Sequence, residues 1–203
     1  HLVWDQRVGS SNLSTPTKGN IMVRLEKLNI TFLHIPKNAG TSIETWLTEN
    51  CDGDVYADDL RHAYPELLKP LFYDFGWTFA VTRNPWDRVV SWYKFFRQQD
   101  RMPVSFEDYI DIAITNPSKI LQFPTRDTLY TQYCHYVIRF DNLIEDFKVI
   151  QQKMNCDNPL GKRNYSDNNG MKYVDFYDNP EYIDKVARYY KDDIEIYNYK
   201  YGE

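Results

Sequence analysis

The sequence is poor in cysteine, with 3 among its 203 residues. Cys51, Cys134 and Cys156 lie far apart and show no CxxC or Cys/His spacing suited to zinc. An odd number of scattered thiols gives no disulfide framework, and it fits a reducing compartment best. We therefore expect semi-buried thiols, a cytoplasmic location and no metal site.

Long apolar runs and an excess of basic residues are also missing. No apolar stretch approaches the ~20 residues that span a bilayer, and no charged-then-apolar signal segment opens the chain. The formal net charge is -5. This value argues against a general binder of nucleic acids or anionic membranes, because such proteins usually carry a net basic face. Any anion site must then be a local pocket.

Residues 1–21 lack a hydrophobic period and are rich in Ser, Thr, Gly and Asn, which is typical of a mobile tail. They also resemble the peptide translated from the 3' half of a transfer-RNA gene, so we predict a misplaced start and a native beginning at Met22. The remaining residues, 22–203, suffice for one domain with one core.

Short apolar segments alternate with helical patterns along the rest of the chain. The predicted strands are 29–35, 77–82 and 136–140. Helices are predicted to begin at Thr41, Pro85, Phe106 and Pro180, and a further helix is predicted to follow Asp141, which would cap it. The last helix is expected to run to Tyr197. This alternation predicts a single-domain, three-layer α/β/α fold with a mostly parallel sheet.

The segment HIPKNAGTS follows the first predicted strand and opens the first predicted helix. Free backbone N–H groups and the positive end of the helix dipole point at the same spot there, which favours an anion. Gly40 allows close approach of the backbone, Thr41 and Ser42 add hydroxyl donors, and Lys37 adds a charge. In a Walker A loop the Lys follows the Gly, so this is a different kind of phosphate loop.

A second anion site is predicted where strand 77–82 gives way to a helix. Arg83 and Ser91 are about two helical turns apart and can reach one phosphate, for which Arg offers a charged donor fork. The alternative is that Arg83 pairs with Asp87 and that Ser91 faces solvent. We expect Arg88 and Arg97 to be solvated charges or rim contacts.

Together these motifs resemble the 5'-phosphosulfate loop and the 3'-phosphate site of sulfotransferases that use 3'-phosphoadenosine 5'-phosphosulfate (PAPS), especially the carbohydrate and Golgi-type branch. The resemblance extends over roughly residues 30–201 and implies a P-loop-like fold, transfer of the sulfuryl group to a hydroxyl, 3'-phosphoadenosine 5'-phosphate (PAP) as product, and no metal. It implies that Lys37 contacts the bridging oxygen of the leaving phosphate. The nucleotide-binding residues that it implies are Pro36, Lys37, Asn38, Ala39, Gly40, Thr41, Ser42, Arg83, Ser91 and, in a covering basic loop, Lys162 and Arg163.

The same resemblance implies that His62, after the first helix, is the catalytic base. Glu66 or Asp58 could serve instead, or Glu66 could orient His62. We expect His34 to be a packed residue and His135 a hydrogen-bonded core imidazole.

The acceptor is less well defined by the sequence. A sugar is the expected acceptor by family analogy alone. Tyr56, Tyr64, Trp92, Tyr93 and Phe96 could stack on sugar rings, although each is more typical of a core or surface residue.

Two other functions fit parts of the pattern. A P-loop kinase would share the α/β fold, but it needs a Walker Lys-Ser/Thr pair and a magnesium-binding acid, and the sequence shows neither. A nucleotide-binding module without catalysis would need no base near the donor. Nothing in the sequence indicates an oligomeric state.

Overall fold

The structure is a computed structural model and describes residues 23–51, 54–55, 65–68, 74–99, 104–115, 126–161 and 171–203. Within them, one five-stranded sheet has the strand order β3-β1-β2-β4-β5. The strands are β1 Val23–Leu25, β2 Ile30–Phe32, β3 Asp54–Val55, β4 Trp77–Thr82 and β5 Tyr136–Arg139. Neighbours β2, β4 and β5 are parallel, and β1 is antiparallel to both β2 and β3, so four strands share one direction.

Eight α-helices accompany the sheet in the described ranges. They are α1 Gly40–Asn50, α2 Pro65–Leu68, α3 Pro85–Gln98, α4 Phe106–Thr115, α5 Thr128–Thr131, α6 Leu143–Met154, α7 Pro180–Tyr189 and α8 Lys191–Tyr197. The three predicted strands are present, although β2 is shorter than the predicted 29–35, and α1, α3, α4 and α7 begin at or within one residue of the predicted starts. The strands β1 and β3 were not predicted, because two or three residues are too few to show a period.

Helices cover both faces of the sheet. Phe79 and Val81 of β4 pack with α1 and α6 on one face, where Trp46 meets Phe147 edge-on with ring centroids 4.9 Å apart. Ala80, between them in sequence, packs with Tyr130 of α5 on the other face. This alternation follows the two-residue period of a strand. The α/β class is confirmed for the described residues.

A second, aromatic core fixes the position of α3. It joins α3 to α4, α7, α8 and the 3₁₀ turn Tyr173–Phe176. The Trp86 indole N–H donates to the Ile183 carbonyl at 3.0 Å, and the Tyr177 hydroxyl donates to the Trp86 carbonyl at 3.0 Å. Trp92 and Phe96 are buried here and stack at 5.3 Å, so both are core residues.

Two helix boundaries differ from the prediction. Asp141 does not cap α6; it lies in the 3₁₀ turn Phe140–Asn142, and Asn142 is the residue before the helix. The last predicted helix is divided at Tyr190 into α7 and α8. Tyr190 is fully buried under the Arg88 guanidinium, 4.9 Å from its ring centroid, and this contact accompanies the break.

The structure addresses the predictions about thiols, metal sites and membrane spans for the described residues. Cys51, Cys134 and Cys156 are half-buried and form no disulfide, and burial raises the pKa of the Cys134 thiol to about 12. In the described ranges there is no cluster of His, Cys, Asp and Glu that could hold a metal ion. Nor does any described helix have the length and apolar character needed to cross a membrane. The predicted tail, 1–21, lies outside these ranges.

Candidate functional site

The chain between β2 and α1 folds into a turn with unusual backbone angles. Lys37 has φ 68° and Ala39 has φ 61°, both in the left-handed region, whereas Asn38 between them does not. Such angles are uncommon for residues other than glycine. Alternating left- and right-handed residues direct successive N–H groups to one side, which makes a concave anion-binding surface.

The N-terminus of α1 leaves backbone donors available. Ala39 is the residue before the helix and provides no side-chain cap. The amides of Ser42 and Ile43 donate to its carbonyl at 3.0 and 3.3 Å. The amides of Gly40 and Thr41 have no acceptor among the described residues. Because the helix dipole also points outward here, these two N–H groups favour an anion.

Gly40 is required by a neighbouring side chain. A Cβ atom at this position would lie 1.8 Å from Nε2 of His34. His34 is buried, and its Nδ1 lies 2.6 Å from Oε1 of buried Glu44. His34 is therefore the packed residue that we predicted, and the small size of Gly40 accommodates its ring.

The Lys37 side chain extends from this turn to α3. Its Nζ lies 4.3 Å from the centroid of the Phe95 ring and 5.8 Å from that of Trp92. Burial, and to a smaller degree the charge on Arg83, lower the pKa of Lys37 from 10.5 to about 8. The side chain is thus held by cation–π contacts next to another cation, a position that a bound anion would stabilise.

The chain passes from strand to helix at two junctions, residues 33–39 between β2 and α1 and residues 83–84 between β4 and α3. Arg83, in the second junction, also contacts the first. Its Nη1 donates to the carbonyl oxygen of Lys37 at 2.7 Å, and its Nε donates to Oδ2 of Asp87 at 2.8 Å. The guanidinium also lies 4.1 Å from the centroid of the Phe140 ring. The structure therefore places the two predicted anion-binding residues side by side, and the alternative pair with Asp87 is present as well.

Ser91 lies on α3 between the residues that contact Arg83 and Lys37. Asp87, Ser91 and Phe95 follow each other at intervals of four residues and share one helix face. Ser91 is half-buried there. Ser91 therefore belongs to the helix face that both cations contact.

Positive charge accumulates on this face. Burial lowers the pKa of Lys94, one turn beyond Ser91, and the Arg83 charge lowers it further, whereas Asp87 raises it. Arg83 and Lys94 thus lie near the Asp87 carboxylate, and Lys37 lies near Arg83. The excess of positive charge is what a multiply charged anion would neutralise.

Beneath this surface lies a buried ionic network that the sequence analysis missed. Arg88 is 1% exposed, so the prediction that it is solvated is wrong. It pairs with Asp127 and, at 3.5 Å, with Asp193, both fully buried. Asp127 in turn accepts hydrogen bonds from Asn38 and Thr82. One signal was available, since Arg88 shares a helix face with Trp92 and Phe96.

Comparisons with known proteins give limited information. No protein-family model matches the chain, and no curated protein matches it. One similar solved structure is a sulfotransferase from Alicyclobacillus acidocaldarius, with 13% sequence identity and a TM-score of 0.39. The similarity covers 77% of this chain and 57% of that protein, so the chain spans little more than half of its length. A likeness this distant establishes neither family nor activity.

Several predicted site residues lie outside the described ranges. These are His62, Asp58, Lys162, Arg163, Tyr56 and Tyr64. Their predicted roles stay predictions.

Four other residues with predicted roles or settings are described. Glu66 is exposed and accepts from the Tyr133 hydroxyl. His135 is exposed, and its Nδ1 accepts from the Thr78 amide at 3.1 Å, so it is hydrogen-bonded as predicted but does not lie in the core. Arg97 is exposed, as expected. Tyr93 is half-buried against Phe106 and donates to the Val104 carbonyl.

Proposed function

We propose that this protein transfers the sulfuryl group of PAPS to a hydroxyl acceptor, which family analogy suggests is a sugar. One observation carries the proposal. Lys37 and Arg83, which the two motifs assign to the 5' and 3' ends of one nucleotide, are in direct contact through the 2.7 Å hydrogen bond from Arg83 to the Lys37 carbonyl. A nucleotide with phosphates at both ends needs two such sites side by side.

Each junction suits one of the phosphates. The Gly40 and Thr41 amides and the Lys37 amine would bind the 5'-phosphate, which carries the sulfuryl group. Arg83 and Ser91 would bind the 3'-phosphate. The pair with Asp87 does not prevent this role, because it uses Nε alone and a guanidinium carries five N–H donors.

The transfer itself is an in-line displacement at sulfur. The acceptor oxygen forms a bond to sulfur while the bond from sulfur to the bridging phosphate oxygen breaks, and PAP leaves with the electron pair of that bond. Negative charge therefore develops on the bridging oxygen, where the Lys37 ammonium would stabilise it. The proton of the acceptor hydroxyl would pass to His62, with Glu66 or Asp58 as alternative bases.

The covering role of Lys162 and Arg163 and the sugar acceptor depend on the resemblance alone. The cytoplasmic location depends on the small number of scattered cysteines. Screening labelled PAPS against glycans, phenols and lipids would identify the acceptor class. Labelled product from none of the three classes would favour a nucleotide-binding module without catalysis.

Isothermal titration calorimetry with PAP and with ATP tests the nucleotide assignment. We expect PAP to bind at least about tenfold more tightly, because ATP has no 3'-phosphate to occupy the Arg83 site. Tighter binding of ATP would overturn the proposal and favour a kinase-like phosphotransferase.

A further inference from the structure

The buried carboxylate of Asp127 contacts both strand-to-helix junctions at once. Its Oδ2 accepts from the Asn38 side-chain amide at 3.1 Å, from the Thr82 hydroxyl at 2.9 Å and from the Arg83 backbone amide at 3.0 Å. Asn38 lies in the first junction, Arg83 lies in the second, and Thr82 is the last residue of β4 before it. A single oxygen atom thus holds the two loops at one separation.

Both oxygens of this carboxylate are held by donors. Oδ2 faces three donors, and the other oxygen is paired with the Arg88 guanidinium. Such a set of donors suits a carboxylate, which accepts hydrogen bonds through both oxygens. The side chain is fully buried, so water does not supply substitute hydrogen bonds.

Each junction also has an anchor that does not involve Asp127. The Asn38 amide donates to the Val81 carbonyl at 2.7 Å, and Arg83 is held by Asp87 at 2.8 Å. Without Asp127, the two loops therefore keep these contacts and the direct hydrogen bond from Arg83 to the Lys37 carbonyl at 2.7 Å. Asp127 adds a fully buried link that gathers donors of both loops at one oxygen and so fixes their separation more closely.

We propose that Asp127 is a positioning residue that sets the separation of the two phosphate sites, an inference that rests on the proposed function. The ribose of PAP fixes the distance between its two phosphates, so both can bind fully only if the loops are correctly spaced. A nucleotide with one phosphate has no such requirement. Asp127 should therefore affect how much more tightly the protein binds a nucleotide with two phosphates than a nucleotide with one.

The test compares the affinities of PAP and adenosine 5'-phosphate, measured by calorimetry, in the wild-type protein and in Asp127→Asn. The Asn amino group must face either the Arg88 guanidinium or the three loop donors, so in both orientations the network that holds the side chain in place loses a contact. We expect the wild-type protein to bind PAP at least about 100-fold more tightly than adenosine 5'-phosphate. In Asp127→Asn this ratio should fall about tenfold or more, while the affinity for adenosine 5'-phosphate changes less than about threefold.

Asp193→Asn is the matched control. Asp193 belongs to the same buried network, because it accepts from the Asp127 and Thr128 amides at 2.8 and 2.9 Å, yet it makes no hydrogen bond to the described residues of either loop. Its substitution should lower the thermal midpoint and leave the affinity ratio within about threefold of the wild-type value.

Each outcome decides a different question. A wild-type ratio near one overturns the proposed function and this inference with it. A normal wild-type ratio that Asp127→Asn preserves, or an equal loss of affinity for both nucleotides, overturns the positioning role and leaves the proposed function intact. If Asp127→Asn does not fold, Thr82→Val, which removes one of the three donors, decides in the same way, with an expected fall of about fivefold.

Discussion

The two strand-to-helix junctions offer an anion different kinds of donors. At the first, Ala39 provides no side-chain cap, and the Gly40 and Thr41 amides have no acceptor within the described residues. At the second, the Asn84 side chain accepts from the Trp86 amide at 3.1 Å, and Pro85 carries no N–H. The second helix start therefore offers an anion fewer backbone donors than the first, and binding there depends mainly on side chains.

This difference fits the two tasks that we assign to the junctions. Backbone amides at the first junction give fixed dipoles where charge develops during transfer. The Arg83 guanidinium at the second gives a rigid fork for a phosphate that does not react. Substitutions at the first junction should therefore change turnover most, and substitutions at the second should change nucleotide affinity.

The largest expected effect is on turnover in Lys37→Ala. The variant loses the charge that Lys37 supplies to the proposed first site, so we expect kcat to fall about 1000-fold, with about tenfold weaker binding of PAP. Lys148→Ala is the control, because Lys148 is an exposed lysine on α6 that pairs with Glu145. Unchanged turnover in Lys37→Ala would contradict the assignment.

Gly40→Ala should disrupt the first junction through packing. The added Cβ would overlap the buried His34 ring, which is held by Glu44, so we expect a loss of about 1–3 kcal/mol in the free energy of unfolding and weaker binding of PAP. Gly161→Ala is the matched control, since a Cβ there meets nothing within 4 Å. Denaturant titration measures both, and equal stabilities would show that the turn yields easily.

Features of the two junctions that depend on neighbouring residues could be predicted from the sequence, whereas contacts between residues far apart in the sequence could not. The strand, loop and helix of each junction are local patterns, as are the cap by Asn84 and the phosphate-binding residue types. The link through Asp127 is not local, because Asn38 is 89 positions away. Its neighbour Arg88 was predicted to be exposed on grounds of charge alone, and only the packed structure shows its buried partners.

The pH dependence of PAP binding should distinguish the two junctions further. Because the pKa of Lys37 is lowered to about 8 and a bound phosphate favours its charged form, we expect affinity to fall up to about tenfold per pH unit above pH 8. Lys37→Arg stays charged and should show a flatter profile. Identical profiles would exclude Lys37 as the titrating group.

The lowered pKa of Lys37 also predicts that the protein becomes more stable when the lysine charge is removed. Between about pH 8 and 10.5 the unfolded chain binds a proton at Lys37 that the folded protein has released, so the contribution of Lys37 to stability rises with pH over that window. Below pH 8 the charged lysine is destabilising by up to about 3 kcal/mol. Lys37→Met should therefore raise the free energy of unfolding at pH 7, and the gain should vanish near pH 10.5. A less stable variant at pH 7 would contradict this.

The smallest effect is expected when the cap at the start of α3 is removed. Asn84→Ala removes a cap and should lower stability by about 1 kcal/mol, with PAP affinity within about threefold of the wild-type value. Asn179→Ala removes the same kind of cap from α7, where the Asn179 side chain accepts from the Glu181 amide at 2.9 Å. A much larger loss of PAP affinity in Asn84→Ala would show that the second helix start itself contributes to binding.

A crystal structure of the protein with PAP bound tests the central claim most directly. We expect the 5'-phosphate on the Gly40 and Thr41 amides with the Lys37 amine beside it, and the 3'-phosphate of the same molecule on Arg83 and Ser91. A complex in which Lys37 and Arg83 contact the same phosphate, or in which either of them faces a cavity without the nucleotide, would contradict it.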